Sequence, residues 1–518
     1  MVKKYLVLII LLYLALVSRY FSYVPMWDAW DNAGRWIYQA VTLPFNPYNF
    51  DHGGHPSMVY FFILGLGQYL DLGNQYLIHA TNAVLTVFSI LAFWGIVNHL
   101  YPEIKNKHES YLLTFLYAFF PIITGSALHV NPDYGVLIFF VIYLYFLLKD
   151  RLLAAVITSI PMIFAKEPGI ALYGFTICLY LGMQLFLERK SGRHIWKFIR
   201  RKIILLLPLL LFLLYFSVKV FVLKLSAWWI GAASFTESNK LTYWPQWHTD
   251  KITLAYLLGI FVINFNWVLT FFILLGFLNL FFKRSKFKPK LFFLSGLFCG
   301  TFLVVTFFET FANLRYFLPL YPLMILLFYN GLASAVVNHA VRRALLVAVV
   351  VIFFLAEFFT LDPISKRIYG TFKFGKHEML KMTAITNECC GYGRDQLVYN
   401  TQYLNIAFLL DKIMADIKPD EQTAFAYQPL VGPAVFPKIS KSTGARTLRN
   451  FSAFDPRIVN WNFESLAEKP EKLYYIEFPN VKMGDDYQRY LDYYQLAGTK
   501  NYEHLGYAMK VYLLELKV

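Results

Sequence analysis

Residues 5–17, 134–148, 203–216 and 344–355 carry no charged side chain, and similar apolar runs recur as far as residue 360. A bilayer core about 30 Å thick is crossed by about 20 mostly apolar residues in a helix. In lipid the backbone has to satisfy its own hydrogen bonds, so these runs predict helices. The alternation of a membrane barrel is absent from them. Beyond residue 360 the pattern changes. Strand-like runs occupy 397–401, 423–429, 472–478 and 508–516, and a helical stretch occupies 485–496. Strands mixed with helix predict a small α/β domain.

Charge orders the apolar runs into a topology. Lys3 and Lys4 precede the first run, which places the N-terminus on the cytoplasmic side. That run is followed by no small-residue cleavage site, so a retained signal anchor is expected. Eleven spans follow, at about 5–25, 75–98, 111–128, 134–148, 152–165, 169–187, 203–223, 252–281, 291–308, 316–335 and 344–360. This scheme puts every basic cluster inside, including Arg189, Lys190, Arg193, Lys197 and Arg200, and Lys283, Arg284, Lys286, Lys288 and Lys290. It holds if 57–70, short for a span, is an interfacial or re-entrant helix. The expected architecture is therefore a polytopic α-helical membrane domain over 1–360 and an extracytoplasmic α/β domain over 361–518.

The net charge of +16 on 518 residues invites a nucleic-acid reading, but its distribution argues against one. Residues 1–360 hold 28 Lys and Arg against 14 Asp and Glu, whereas 361–518 hold 20 against 18. The excess lies in short loops, as positive-inside topology requires. Cys178 and Cys299 lie in apolar runs and read as packing residues, while Cys389 and Cys390 are adjacent and no metal spacing occurs. Glu103, Glu109, Asp150 and Glu188 stand beside basic residues on the inner side, where solvation is expected.

The outer acids and their neighbours carry the candidate chemistry. Asp28, Asp31 and Arg35 share one face if their loop is helical, amid Trp27, Trp30 and Trp36. An interfacial helix anchored by its tryptophans explains the same spacing. Asp51-His52-Gly-Gly-His55-Pro56 suits either a glycine turn or a metal ligand, and His55 with Asp133 forms a candidate divalent-cation pair. Asn131-Pro132-Asp133 opens a helix, where the dipole favours an acid. Lys166-Glu167-Pro168-Gly169 sets a cation in an outer loop, against the general trend; it suits either a pair with Glu167 or an anionic headgroup. Arg315, before Tyr316, is another outer cation, and a snorkelling anchor accounts for it equally well.

Taken in order, these pieces resemble the GT-C superfamily of membrane glycosyltransferases, which use polyprenyl- or dolichyl-phosphate sugars. The branch most similar holds the protein O-mannosyltransferases and bacterial lipid A aminoarabinose transferases. The resemblance rests on Asp31-Asn-Ala-Gly-Arg-Trp, His55-Pro56-Ser-Met-Val-Tyr, Asn131-Pro-Asp133, Lys166-Glu-Pro-Gly and Arg315-Tyr-Phe-Leu-Pro-Leu-Tyr-Pro322, and covers residues 1–360. The family often has Asp-Glu where this chain has Asp31-Asn32, and His-Pro-Pro where it has His55-Pro56-Ser57. The resemblance implies that Asp31 is the catalytic base, with Asp28 its competitor. On this reading Lys166, Arg35 and Arg315 hold the donor phosphate, and His55, Asp133 and Glu167 orient the site. It further implies a polyprenyl-phosphate sugar donor, a lipid, glycan or protein acceptor, and a place in the bacterial plasma membrane. A flippase or a polymerase or ligase of lipid-linked glycans is the rival. A flippase is expected to carry charge near the bilayer midplane and repeats in its sequence, and neither is visible.

Overall fold

The structure is a computed structural model. It describes residues 3–18, 21, 37–42, 58–71, 74–127, 130–190, 200, 202–230, 257, 261–262, 265–282, 289–308, 314–356, 371–374, 377–380, 408–418, 423–427, 463–477, 485–504 and 507–517.

The apolar runs form helices. In chain order they are α1 (Lys3–Ser18), α2 (Ile37–Thr42), α3 (Met58–Gly65), α4 (Gln75–Leu100), α5 (His108–Ala118), α6 (Pro121–Ala127) and α7 (Pro132–Leu148). There follow α8 (Leu152–Ile163), α9 (Glu167–Lys190), α10 (Leu207–Ile230), α11 (Trp267–Phe282), α12 (Pro289–Phe308), α13 (Leu320–Ala335) and α14 (His339–Ala356). Among the described residues α4, α9 and α12 are long and apolar enough to cross a membrane singly. The expected span over 111–128 divides into α5 and α6, because Pro121 cannot continue the ladder. Residues 57–70 give only the eight-residue α3 and a short 3-10 turn (Leu66–Tyr69), a helix of about 12 Å by its rise.

Helix α7 is the centre of the bundle: its residues 132–144 are all buried, as expected for a helix apolar on every face. Between helices in lipid the hydrophobic effect is weak, so close packing and hydrogen bonds hold the bundle. Tyr134 on α7 and Thr86 on α4 share a 2.9 Å bond, and Asn82 donates to the Ala127 carbonyl at 2.7 Å. Tyr101, just past α4, donates to the Leu326 carbonyl of α13 at 2.6 Å.

Helices α11 and α13 approach through glycine. A Cβ on Gly331 would lie 1.7 Å from the Phe272 carbonyl oxygen, and one on Gly276 3.2 Å from the Gly331 Cα. Both obstacles are backbone, so the helices themselves would have to part. Gly331→Ala is expected to cost about 1–3 kcal/mol or more, seen as a lower unfolding midpoint in detergent. Gly174→Ala, where a Cβ meets nothing within 4 Å, is the control and is expected to be neutral or mildly stabilising. Equal midpoints for the two variants would refute the close approach.

Two expectations for this region need correction. Cys178 and Cys299 are exposed and not packed inside the bundle. Glu109 is buried, not solvated, because it opens α5 beneath Arg343, whose Nε lies 3.7 Å from its carboxylate.

The C-terminal elements form a second core. Strands β3 (Ala424–Tyr427), β4 (Lys472–Glu477), β5 (Tyr494–His504) and β6 (Tyr507–Leu516) make a sheet in the order β3-β4-β6-β5. The β3–β4 pair is parallel and the other two are antiparallel. A small antiparallel pair, β1 (Thr371–Phe374) with β2 (His377–Leu380), precedes it. Phe463, Leu473, Tyr475, Tyr490, Tyr494 and Leu514 fill the space under the sheet. The helix expected over 485–496 stops at Leu491, because Tyr494 onward pairs with β6, where the cross-strand ladder overrides helical propensity. The strand expected over 397–401 lies outside the described residues.

Candidate functional site

Three chain segments meet at one carboxylate. The first is the start of α7. Pro132 occupies its first turn, where its missing N–H costs nothing, and Asp133 follows in the same turn. The helix N-terminus favours that negative charge.

The second segment is the turn between α8 and α9. Helix α8 closes with the Phe164 amide on the Ile160 carbonyl, and α9 starts at Glu167 with Pro168 in its first turn. The turn is tight: the Gly169 amide donates to the Lys166 carbonyl at 2.8 Å, and a Cβ on Gly169 would sit 2.1 Å from the Met162 carbonyl oxygen. Only glycine lets the first turn of α9 come that near the last turn of α8. Lys166 is thereby held between two helix ends.

The third segment is the 3-10 turn Leu314–Phe317 ahead of α13, which carries Arg315 and Tyr316. Pro319 caps the helix that follows.

Lys166 donates to Asp133 Oδ1 at 2.9 Å, and Arg315 Nε lies 3.3 Å from Oδ2. The side chains of Lys166, Asp133 and Arg315 are 6%, 8% and 16% exposed. The Lys166 ammonium also sits 4.1 Å from the centre of the Tyr316 ring, a cation–π contact, and the Arg315 guanidinium 5.6 Å from the same ring. Two cations thus gather on one acid at nine-tenths burial. Desolvating each ion costs several kcal/mol, so clusters of this kind mark working sites in membrane proteins more often than they serve stability.

A partly enclosed pocket opens beside the cluster. Its lining is mostly apolar, with Val136, Leu172, Val304 and Val305 beside Asp133, Tyr316 and Thr301. The one charged residue of that lining is Asp133, whose carboxylate is held by Lys166 and Arg315.

The sequence-based candidates are placed as follows. Asp133, Lys166 and Arg315 come together. Lys166 bonds Asp133, while its neighbour Glu167 is the half-buried first residue of α9. Arg315 points at Asp133, where a snorkelling anchor would point to the interface. Asp28, Asp31, Arg35 and His55 lie outside the described residues. Among the described residues no group of three or more His, Cys, Asp and Glu gathers as metal ligands. Both Asp133 oxygens face cations, which compete with a metal ion for that carboxylate. Tyr316 and Thr301 carried no assignment. Adjacency to Arg315 signalled the tyrosine, whereas a threonine in an apolar helix gives no signal.

No protein-family profile matches the sequence, and no curated protein sequence matches it. Structure does find a relative. The chain superposes on a crystal structure of ArnT from Cupriavidus metallidurans bound to undecaprenyl phosphate, with a TM-score of 0.54 over 98% of each chain. ArnT is a lipid A aminoarabinose transferase of the GT-C type. The chain has a GT-C-like fold. At 10% identity the likeness concerns the fold, and it runs through the C-terminal sheet as well as the bundle. As a GT-C fold, the chain is a polytopic membrane protein with a C-terminal domain.

Proposed function

We propose that this protein transfers a sugar from a polyprenyl-phosphate donor to an acceptor hydroxyl, with inversion at the anomeric carbon, on the extracytoplasmic side of the bacterial inner membrane. The observation that carries this reading is the buried meeting of Lys166 and Arg315 on Asp133 beside an apolar-walled pocket. The GT-C fold supports it, as does the undecaprenyl phosphate held by the ArnT relative.

The chemistry needs little machinery. A carboxylate of the first outer loop, Asp31 or its competitor Asp28, takes the proton of the acceptor hydroxyl. The oxygen attacks the anomeric carbon from the face opposite the phosphate. The bond between that carbon and the phosphate oxygen breaks, and its electron pair leaves with the polyprenyl phosphate. Lys166 and Arg315, joined by Arg35, stabilise the charge that grows on the phosphate. Asp133 holds the two cations in place, and His55 and Glu167 orient the substrates. The domain starting near residue 361 faces the same side and selects the acceptor, whether lipid, glycan or protein. The position of the Asp133 cluster at the ends of α7 and α8 fits transfer better than a flippase, which would carry its charges nearer the midplane.

The test uses full-length protein in lipid nanodiscs with a panel of polyprenyl-phosphate sugars and an extract of acceptors. One donor is expected to be consumed, with release of polyprenyl phosphate and gain of sugar by an acceptor. Folded protein that neither binds nor consumes any donor would rule the reading out.

A further inference from the structure

The turn of α7 that carries Asp133 is tied to more than the two cations. Tyr134, the next residue, shares its hydroxyl with Thr86 of α4. Gly135, one further on, meets Tyr60 of α3. A Cβ on Gly135 would lie 2.9 Å from each of Cγ, Cδ2 and Cε2 of the Tyr60 ring, nearer than packed carbons approach. The ring therefore lies directly over the backbone of α7, in a seat that only glycine leaves open. Phe139, one turn later on the same face, meets the ring edge-on, with 6.4 Å between centroids. Tyr60 is fully buried. At its tip the hydroxyl donates to Asn82 Oδ1 at 3.4 Å, and Asn82 Nδ2 donates to the carbonyl of Ala127, the last residue of α6. One side chain of α3 thus reaches α7, α4 and, through Asn82, the end of α6. Helix α3 also touches α8, whose end holds Lys166.

We propose that Tyr60 is a positioning residue for the transfer site, a wedge that sets the distance of α3 from Asp133. This rests on the lipid-donor reading and deepens it. The reason is what α3 follows in the chain. His55-Pro56-Ser57 leads directly into Met58, the first residue of α3. In the proposed function His55 orients the substrates and Asp133 holds the two cations of the phosphate clamp. Tyr60 stands five residues after His55, and Gly135 two residues after Asp133. The contact of ring on glycine therefore fixes the start of α3 against the clamp. A ring enclosed between helices has one place to sit, because the interior is close-packed. Its hydroxyl does no chemistry in this role, since it is buried and engaged with Asn82.

The experiment measures turnover per folded molecule and KM in nanodiscs, for the polyprenyl-phosphate sugar that wild-type protein consumes, with unfolding midpoints in parallel. Gly135→Ala forces the ring, and α3 with it, away from α7. A misplacement of about 1 Å can cost about 10²-fold, so this smaller shift is expected to lower turnover about tenfold and to change KM less than about threefold. Tyr60→Phe keeps the wedge and loses only the long bond to Asn82. Its turnover is expected within a factor of about three of wild type, with a lower midpoint because buried Asn82 loses a partner. Tyr60→Leu added to Gly135→Ala makes room for the new methyl and is expected to recover turnover over Gly135→Ala alone. Should Gly135→Ala not fold, Tyr60→Leu against Tyr60→Phe separates ring from hydroxyl, with the leucine variant slow and the phenylalanine variant near wild type. Full turnover by Gly135→Ala, a loss that only tracks the folded fraction, or an equal loss in Tyr60→Phe would overturn the assignment while leaving the donor reading intact. Wild-type protein that consumes no polyprenyl-phosphate sugar would bring down both.

Discussion

Asp31→Ala is expected to lower sugar transfer by about 10²–10⁴-fold, the usual worth of a positioned general base, with expression and donor binding retained. The reason lies in the leaving group. A lipid phosphate departs readily once its charge is stabilised, so the harder task is to make an acceptor hydroxyl nucleophilic. An alcohol gives up its proton only as the new bond forms, and a carboxylate within hydrogen-bond reach can take it at that moment. The proposal gives this role to Asp31 from the GT-C resemblance, and Asp28, three residues earlier, shares its face if the loop is helical. The measurement is initial rate with saturating donor, for Asp31→Ala, Asp28→Ala and wild type. Normal turnover by Asp31→Ala would end its assignment, and loss confined to Asp28→Ala would transfer the role to that residue.

Lys166→Met is expected to reduce transfer by about 10²–10³-fold, the effect of removing one preorganised donor from a developing negative charge. The same change removes the 2.9 Å partner of Asp133 but leaves that acid paired with Arg315 at 3.3 Å, a neutral pair, so the unfolding midpoint is expected to fall only slightly. Asp133→Asn leaves both cations without their acid and is expected to lower the midpoint more. If Lys166 stabilises the leaving phosphate, Lys166→Met is folded and slow; activity that falls only as far as the folded fraction falls would end that role.

Which parts of this molecule can be read from its sequence follows from the range of the interactions. The helices of the bundle are legible because each depends on its own apolar run. The tight turn at Gly169 is legible because Pro168 and Gly169 mark it locally. The partner of Lys166 is not: Glu167 is adjacent, yet the ammonium bonds an acid 33 residues away, since which helix ends meet is settled by packing. The same holds for Arg315 and for Glu109, whose burial depends on α14. The helix expected over 485–496 overran into β5 because Tyr494 pairs with Leu516, a contact no local pattern contains. Within the candidate site, Asp133, Lys166 and Arg315 were each named from local anomalies, namely an acid at a helix start and two cations on the unfavoured side. Their convergence is tertiary information.

The spacing of the three charged residues also bears on biosynthesis. Asp133 and Lys166 are close enough in the chain to enter the membrane nearly together, as a pair that offsets its own charge. Arg315 follows about 150 residues later, roughly 7–30 s at ordinary elongation rates. Through that interval the nascent bundle holds a neutral pair in place of a cationic site. On the proposed function, a chain that stalls before its tenth span would lack the second cation for a lipid phosphate, so the site would be completed only when the bundle is almost whole.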